Sequence, residues 1–500
     1  FQKKIPVDYS EYLTRIPDYL VYNTYYRGWL TPKLETDQRD RTFSGRYNEL
    51  ANRQGGFRSE RGDFSFTCRE HFKKYSLTNV LPLKDEGYVD NLDNYKATII
   101  HELVSTKYPN QAFKNFATSW EDVAKNIFEN DDFGGQLKKD DFYSGDLVPV
   151  LKGITGKNEK INAIFNYVQK TMNWNGYNGF LSENGIRKAF KEKKGNIGDI
   201  NLLLISMLKN EKINAHPVLV STKSNGIALF PSRNAFNYVI CAVELDNAEV
   251  VLLDAANKFS KPNVLPIKCL NWYGRLIRDN GTSTTINLIP NSKSVKNFTM
   301  MYTIEEDGNI KGKFREQNFD YFAYVFAEKK GNLDEDQRIE SKEKLTDDSE
   351  IENYEFKVSD QNVVTETFEF SNRSLVEQIS GKLYFNPMLF LKTDKNPFVQ
   401  EQRMYPIDFT FPSQYKYNVM IKIPENYEVE SYPESLNLGM EDGLGSFGFN
   451  IKVNGGTIQI MSSEDINQAI FAPQYYPMLK AFYSSLVDKH NERIVLKRKI

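Results

Sequence analysis

The residues best suited to chemistry lie in the middle of the chain. Gly195-Asn-Ile-Gly-Asp-Ile-Asn-Leu-Leu-Leu-Ile-Ser-Met-Leu208 opens a helix behind a glycine turn, with Asn196 as N-cap and Asp199 near the third helical position. A helix start of this kind offers free backbone N–H groups and the positive end of a dipole. A cysteine placed there has a lowered pKa and acts as a nucleophile. A histidine on a facing strand would serve as its base, and a carboxylate on the next strand would orient that histidine. Two strands do follow: Phe236–Leu245, and Glu249–Leu253 ending at Asp254.

The other reactive side chains are few. There are three cysteines and four histidines. Cys68 and His71 make one Cys-x-x-His without a second pair at metal-ligand spacing, so they read as a strand-end thiol and a surface imidazole; no metal is expected. Cys241 lies three residues beyond Tyr238, which places it on the opposite face of the strand as a buried thiol. Cys269 follows Leu265-Pro-Ile-Lys, and His216 precedes Pro217 at a strand entry. Neither a dinucleotide-binding glycine pattern nor a phosphate loop occurs, so no cofactor is expected. Acidic residues are plentiful, but no spacing singles out a glycosidase pair.

Gly195…Asp199 with Leu202–Leu208, Phe236-Asn-Tyr-Val-Ile240 and Val251-Leu-Leu-Asp-Ala255 together resemble the core of bacterial transglutaminase-like proteins, members of the papain-like cysteine protease superfamily. In that family the nucleophile lies in Gly-Asp-Cys-x-Asp before a leucine-rich helix. The histidine follows Phe-Asn at a strand start, and the acid ends an apolar strand. The helix Glu159–Met172 and Trp174 fit the segment that precedes the nucleophile. The resemblance places Ile197 at the cysteine position, Tyr238 at the histidine position and Asp254 at the acid position. Isoleucine forms no thiolate, and a phenol of pKa about 10 is a poor neutral-pH base. General-base catalysis alone is worth about 10²–10⁴-fold. The resemblance therefore implies a kept fold with a lost reaction, and a structural hydrogen bond between Tyr238 and Asp254. Trp174, Tyr177, Phe180, Asn196, Asp199 and Asn237 are the residues expected to line the former cleft. A second reading keeps an active cysteine peptidase or transglutaminase-like hydrolase with a relocated nucleophile at Cys241 or Cys269.

The elements that must position these groups are legible in the patterning. Ser119-Trp-Glu-Asp122 predicts a capped helix carrying Val123, Ile127 and Phe128, and Lys157–Thr171 predicts a second. Ile213–Val220 reads as a loop entering a strand, with Leu265-Pro and Leu288-Ile-Pro290 closing the unit. Before it, short apolar runs such as Tyr19–Tyr22 and Ala97–Val104 predict a β-rich region, truncated in front. After it, Asp307-Gly308 predicts a hairpin. A charged helix is expected over Tyr321–Leu345, then strands Val363–Phe370, Tyr415–Ile423 and Ile458–Met461, and a helix over Pro477–His490.

The 500 residues, 40% hydrophobic and 26% charged, fit a folded chain of several domains. The 34 Phe and 29 Tyr point to a large β content. A net charge of −2 gives no basic surplus for nucleic acid, and no apolar run is long enough to span a membrane. The expected fold is multidomain α+β. A β-rich region over residues 1–118 and another over 291–500, both β-sandwich-like, flank a papain-like α/β core over 119–290. Leu81–Tyr88, Ser119-Trp120, Asn396-Pro-Phe398 and Tyr405–Phe409 also resemble segments of bacterial envelope proteins with this layout. That resemblance implies a periplasmic or cell-surface location behind a secretory signal; the chain itself begins at Phe1 without Met. It implies a scaffold that binds a peptide, a cell-wall peptide or another envelope protein.

Overall fold

The computed structural model describes residues 1–53, 56–108, 111–116, 119–359 and 363–499. The chain is a strand-rich, multi-sheet α+β protein. In the first region Val7–Pro17, Gly56–Val80 and Lys33–Arg53 form one antiparallel sheet in that order. Leu20–Arg27, Thr98–Thr106 and Lys114–Asn115 form a second. Tyr12 and Tyr75 of the first sheet meet His101 of the second at ring distances of 5.9 and 6.2 Å. The boundary expected at Thr118 lies outside the described residues. Cys68 sits within the strand Gly56–Val80, opposite Arg41, rather than at a strand end.

In the middle region, helices come first: α1 (Trp120–Phe128), α2 (Ser144–Leu151), α3 (Lys157–Thr171), α4 (Ile186–Glu192) and α5 (Ile197–Asn210). The Ser119–Asp122 capping box of α1 is present, and α3 has the bounds its pattern predicts. A five-stranded sheet follows, in the order Val250–Leu253, Tyr238–Glu244, Ala215–Val220, Tyr273–Ile277, Ser283–Asn287, antiparallel throughout. Every α5 residue from Ile197 to Leu208 is buried. A helix apolar nearly all round belongs inside a core, and each buried Leu or Ile contributes about 1.5–3 kcal/mol. The hairpin Tyr273–Asn287 was not expected; its signal is the turn at Asp279-Asn-Gly281, where Gly281 takes a left-handed φ of +77°.

In the last region an eight-stranded sheet holds Ser294–Ile304 beside Ile310–Asn318 on one side and parallel to Ser413–Lys422 on the other. Its buried face is covered by a four-stranded sheet (Val376–Ile379, Lys382–Phe385, Ile494–Arg498, Tyr427–Ser431) and by helix α8 (Tyr476–Asn491). The single charged helix expected over Tyr321–Leu345 is two helices. These are α6 (Asp320–Lys330) and α7 (Glu335–Leu345), and α7 restarts on an Asp334–Gln337 capping box. Pro406–Pro412 holds only a two-residue strand, Ile407–Asp408, paired with Ile470–Phe471.

The three regions meet at buried charges. Glu86 faces Arg403 at 3.2 Å, with side-chain exposures of 2% and 0%. Glu86 Oε1 also accepts from Val399 N–H, Gln400 N–H and the Tyr476 hydroxyl. Arg403 donates to the carbonyls of Gly87, Tyr88 and Pro406. Nearby, Lys223 of the middle region lies 3.1 Å from Asp408 and 3.7 Å from Asp90. The segments Leu81–Tyr88, Asn396–Phe398 and Tyr405–Phe409 thus come together in space.

Candidate functional site

Helix α5 starts as its sequence dictates. Asn196 Oδ1 accepts from Asp199 N–H at 2.7 Å, and Asp199 Oδ2 accepts from Asn196 N–H at 3.0 Å. The remaining Asp199 oxygen accepts from the Ser182 hydroxyl. Asn196 Nδ2 donates to Leu181 carbonyl at 2.9 Å. That segment lies so close that a Cβ on Gly198 would stand 2.4 Å from Leu181 carbonyl oxygen. Glycine is required there because two backbones touch. The cover leaves Ile197 only 1% exposed.

Four residues along α5, one turn from Ile197 on the same helix face, Asn201 reaches the sheet. Its Nδ2 donates to Asp254 Oδ1 and to Val239 carbonyl, both at 2.9 Å, and its Oδ1 accepts from Ala255 N–H. Tyr238 donates its hydroxyl to Asp254 Oδ2 at 2.7 Å, and Ala256 N–H donates to Oδ1 at 2.9 Å. Asp254 is fully buried. Burial raises its pKa, and the bonds from Asn201, Tyr238 and Ala256 work against that rise. Burial, with Asp254 alongside, lifts the Tyr238 phenol well above its ordinary value. It therefore stays protonated and donates; it cannot serve as a base near neutrality. Asn201 was not anticipated from sequence, although an amide inside the Leu-rich run Ile200–Leu208 is the signal that could have found it.

The thiols are all enclosed. Cys68, Cys241 and Cys269 are free and buried. Burial raises the pKa of both Cys241 and Cys269, and Asp254 raises Cys269 further. Cys269 lies against the Tyr238 phenol, a neighbourhood its place in the sequence did not suggest. His216 pairs across strands with Ala242, one residue from Cys241. Cross-strand partners share a face and successive residues alternate, so His216 and Cys241 point to opposite sides of the sheet. His216 Nε2 lies instead 3.4 Å from Glu244. Among the described residues no three His, Cys, Asp or Glu side chains gather for a metal.

The expected cleft residues divide. Asn173–Trp174 pairs with Lys194–Gly195, so Trp174 lies next to the start of α5. Trp174 and Tyr177 are exposed, 41% and 67%, and Trp174 Nε1 donates to Tyr177 carbonyl. Lys268 Nζ stands 4.6 Å over the Trp174 ring and 4.8 Å over the Tyr238 ring. Its hydrogen-bond partner is Asn178 Oδ1 at 3.3 Å. Phe180 is half-buried, edge-on to Phe133. Asn196 and Asp199 were expected to line the cleft, but they are buried in the capping box. Asn237 instead pins a loop, bonding Thr222 through both its amide atoms.

Comparison with known proteins adds fold information. A family described as a domain of unknown function with a solved structure, DUF3858, matches residues 381–496. A crystal structure of a "putative protease" from Parabacteroides distasonis superposes with a TM-score of 0.50 at 10% identity, covering 99% of this chain and 73% of that one. At that identity the likeness is one of fold. Among curated proteins no match was found.

Proposed function

We propose that the middle region is a catalytically degenerate transglutaminase-like core, and that the chain serves the cell envelope as a peptide-binding scaffold in the periplasm or at the cell surface. One observation carries this reading: every polar atom around Asp254 is bonded and the helix start is filled by Ile197, while an open cationic rim survives beside it. A cysteine-dependent site needs a thiolate within reach of a base; here the side chain at the helix start is a hydrocarbon, and the phenol facing the acid donates. Lys268 has the features of a recognition group. It is held on two aromatic faces, a cation–π arrangement worth about 0.5–2 kcal/mol, and among the described residues no carboxylate lies within 4.0 Å of it, although Asp254 senses its charge. A peptide carboxylate would complete it, with Trp174 and Tyr177 giving rigid apolar contact.

The test is calorimetric titration with the cell-wall tripeptide L-Ala-γ-D-Glu-meso-diaminopimelate, alongside a turnover assay on amide substrates. Binding that weakens at least tenfold in Lys268→Ala and in Trp174→Ala, without amide turnover, is the expected result. Binding unaffected by either substitution, or measurable cleavage or crosslinking by the unaltered protein, overturns the proposal.

A further inference from the structure

A sizeable cleft lies away from Asp254, between the middle and last regions. It encloses about 690 Å³, within the roughly 300–1,000 Å³ range of small-molecule sites, which favour such junctions. One wall is α3 with the loop at residues 258–264. The other is α6 with the strand Glu350–Val358 and Val364.

Its chemistry is specific. Asn162 and Asn166 stand one turn apart on the exposed side of α3, and both line the cleft without a side-chain hydrogen bond among the described residues. Each offers two donors and an acceptor. Ser260, on the same wall, is 2% exposed, and its Oγ has no partner. The ionic groups, by contrast, are occupied. Lys258 donates to the carbonyls of Gln169 and Met172 at the end of α3. Burial disfavours the charged forms of Lys261 and Asp320, and each partly offsets that cost for the other. Phe259, Phe356 and Tyr324 supply aromatic surface between these polar points.

Available neutral amides beside aromatic faces, with the nearby lysine Lys258 already engaged by backbone carbonyls, describe a ligand with many hydroxyls and apolar ring faces. The geometry points to a neutral saccharide-binding site in this cleft, formed jointly by α3 and α6. An anion would find its lysines already occupied. A purely apolar ligand would strand the amides, at the cost that unpaired polar groups carry. Because both regions build the walls, a bound saccharide holds them together and raises the stability of the whole chain by mass action.

The site is independent of Lys268, which permits a clean test. The full chain is titrated with tri-N-acetylchitotriose and with maltotriose, and melting temperature is recorded at saturating sugar. At least one sugar is expected to bind and to raise the melting temperature. Asn162→Ala with Asn166→Ala, both at exposed helix positions, is expected to weaken binding at least tenfold. Ala327→Trp, which fills the cleft from α6, is expected to abolish it. Lys268→Ala is expected to leave it unchanged. If neither sugar binds, if the cleft substitutions leave binding intact, or if only the cell-wall peptide binds there, the proposal fails.

Discussion

The polar cluster around Asp254 and the one around Arg403 are both sealed from solvent, yet they use different chemistry for different ends. Asp254 is served by neutral donors from a single core: a phenol, an amide and a backbone N–H. Arg403 faces a carboxylate more than 300 residues away in sequence, and between them the two groups engage backbone on both sides. The first cluster keeps a helix and a sheet in register within one region. The second fastens the first region to the last. Burial of an ionisable group thus also marks structural joints in this molecule. A better sign of catalysis is whether any reactive atom is left unsatisfied, and around Asp254 none is.

The comparison can be broken by substitution. Arg403→Met should have the largest effect, since it strands a buried Glu86 carboxylate; breaking such a pair costs about 3–5 kcal/mol, measurable by denaturant unfolding. Glu86→Gln keeps an acceptor for Val399 and Gln400 N–H and should cost less. Asp254→Ala should cost about 3 kcal/mol, because it leaves the Tyr238 hydroxyl, one N–H of the Asn201 amide and Ala256 N–H without an acceptor while relieving the burial of a carboxyl. A loss below that of an ordinary surface substitution would deny Asp254 its role as hub.

A third buried polar group sharpens the contrast by having no counter-charge. His490 packs edge-on against Tyr417 and Phe447, and its Nδ1 accepts from Thr393 N–H. Burial pushes its pKa down to about 4. The unfolded chain therefore binds the extra proton first. The His490 contribution is complete above pH about 6.5 and is lost as pH falls toward about 4, up to about 3 kcal/mol in all. His490→Gln should flatten that limb of the stability profile. Glu464, whose burial raises its pKa, acts in the opposite direction, gaining stability at low pH, and should remain. Tyr238→Phe is the mildest change, about 1 kcal/mol for one hydrogen bond lost from a carboxylate that keeps two others.

What the sequence revealed follows from how local its signals are. The capping residues Ser119 with Asp122, and Asn196 with Asp199, act within four positions, and both boxes are present. The Tyr238–Asp254 bond was expected from the resemblance to the transglutaminase-like core, which sets the two residues in one triad frame, and it is present. The long pair Lys33–Arg53 and Gly56–Val80 was not legible, because Gln38 and Asp40 put polar groups on the face opposite Glu35, Asp37, Arg39 and Arg41, leaving no apolar alternation to mark a strand. The break between α6 and α7 was missed although Asp334 and Gln337 announce a new helix start. The roles of Arg403, Asn201 and the wall of the α3–α6 cleft depend on contacts between distant segments, which no periodicity encodes.

The central claim, that this core has no working nucleophile, is tested most directly by iodoacetamide labelling of the native chain at pH 7, read by mass spectrometry. All three cysteines should stay unlabelled while the protein is folded and react together once it is denatured. Rapid, selective labelling of Cys241 or Cys269 in the folded protein, with amide turnover lost in step, would contradict it.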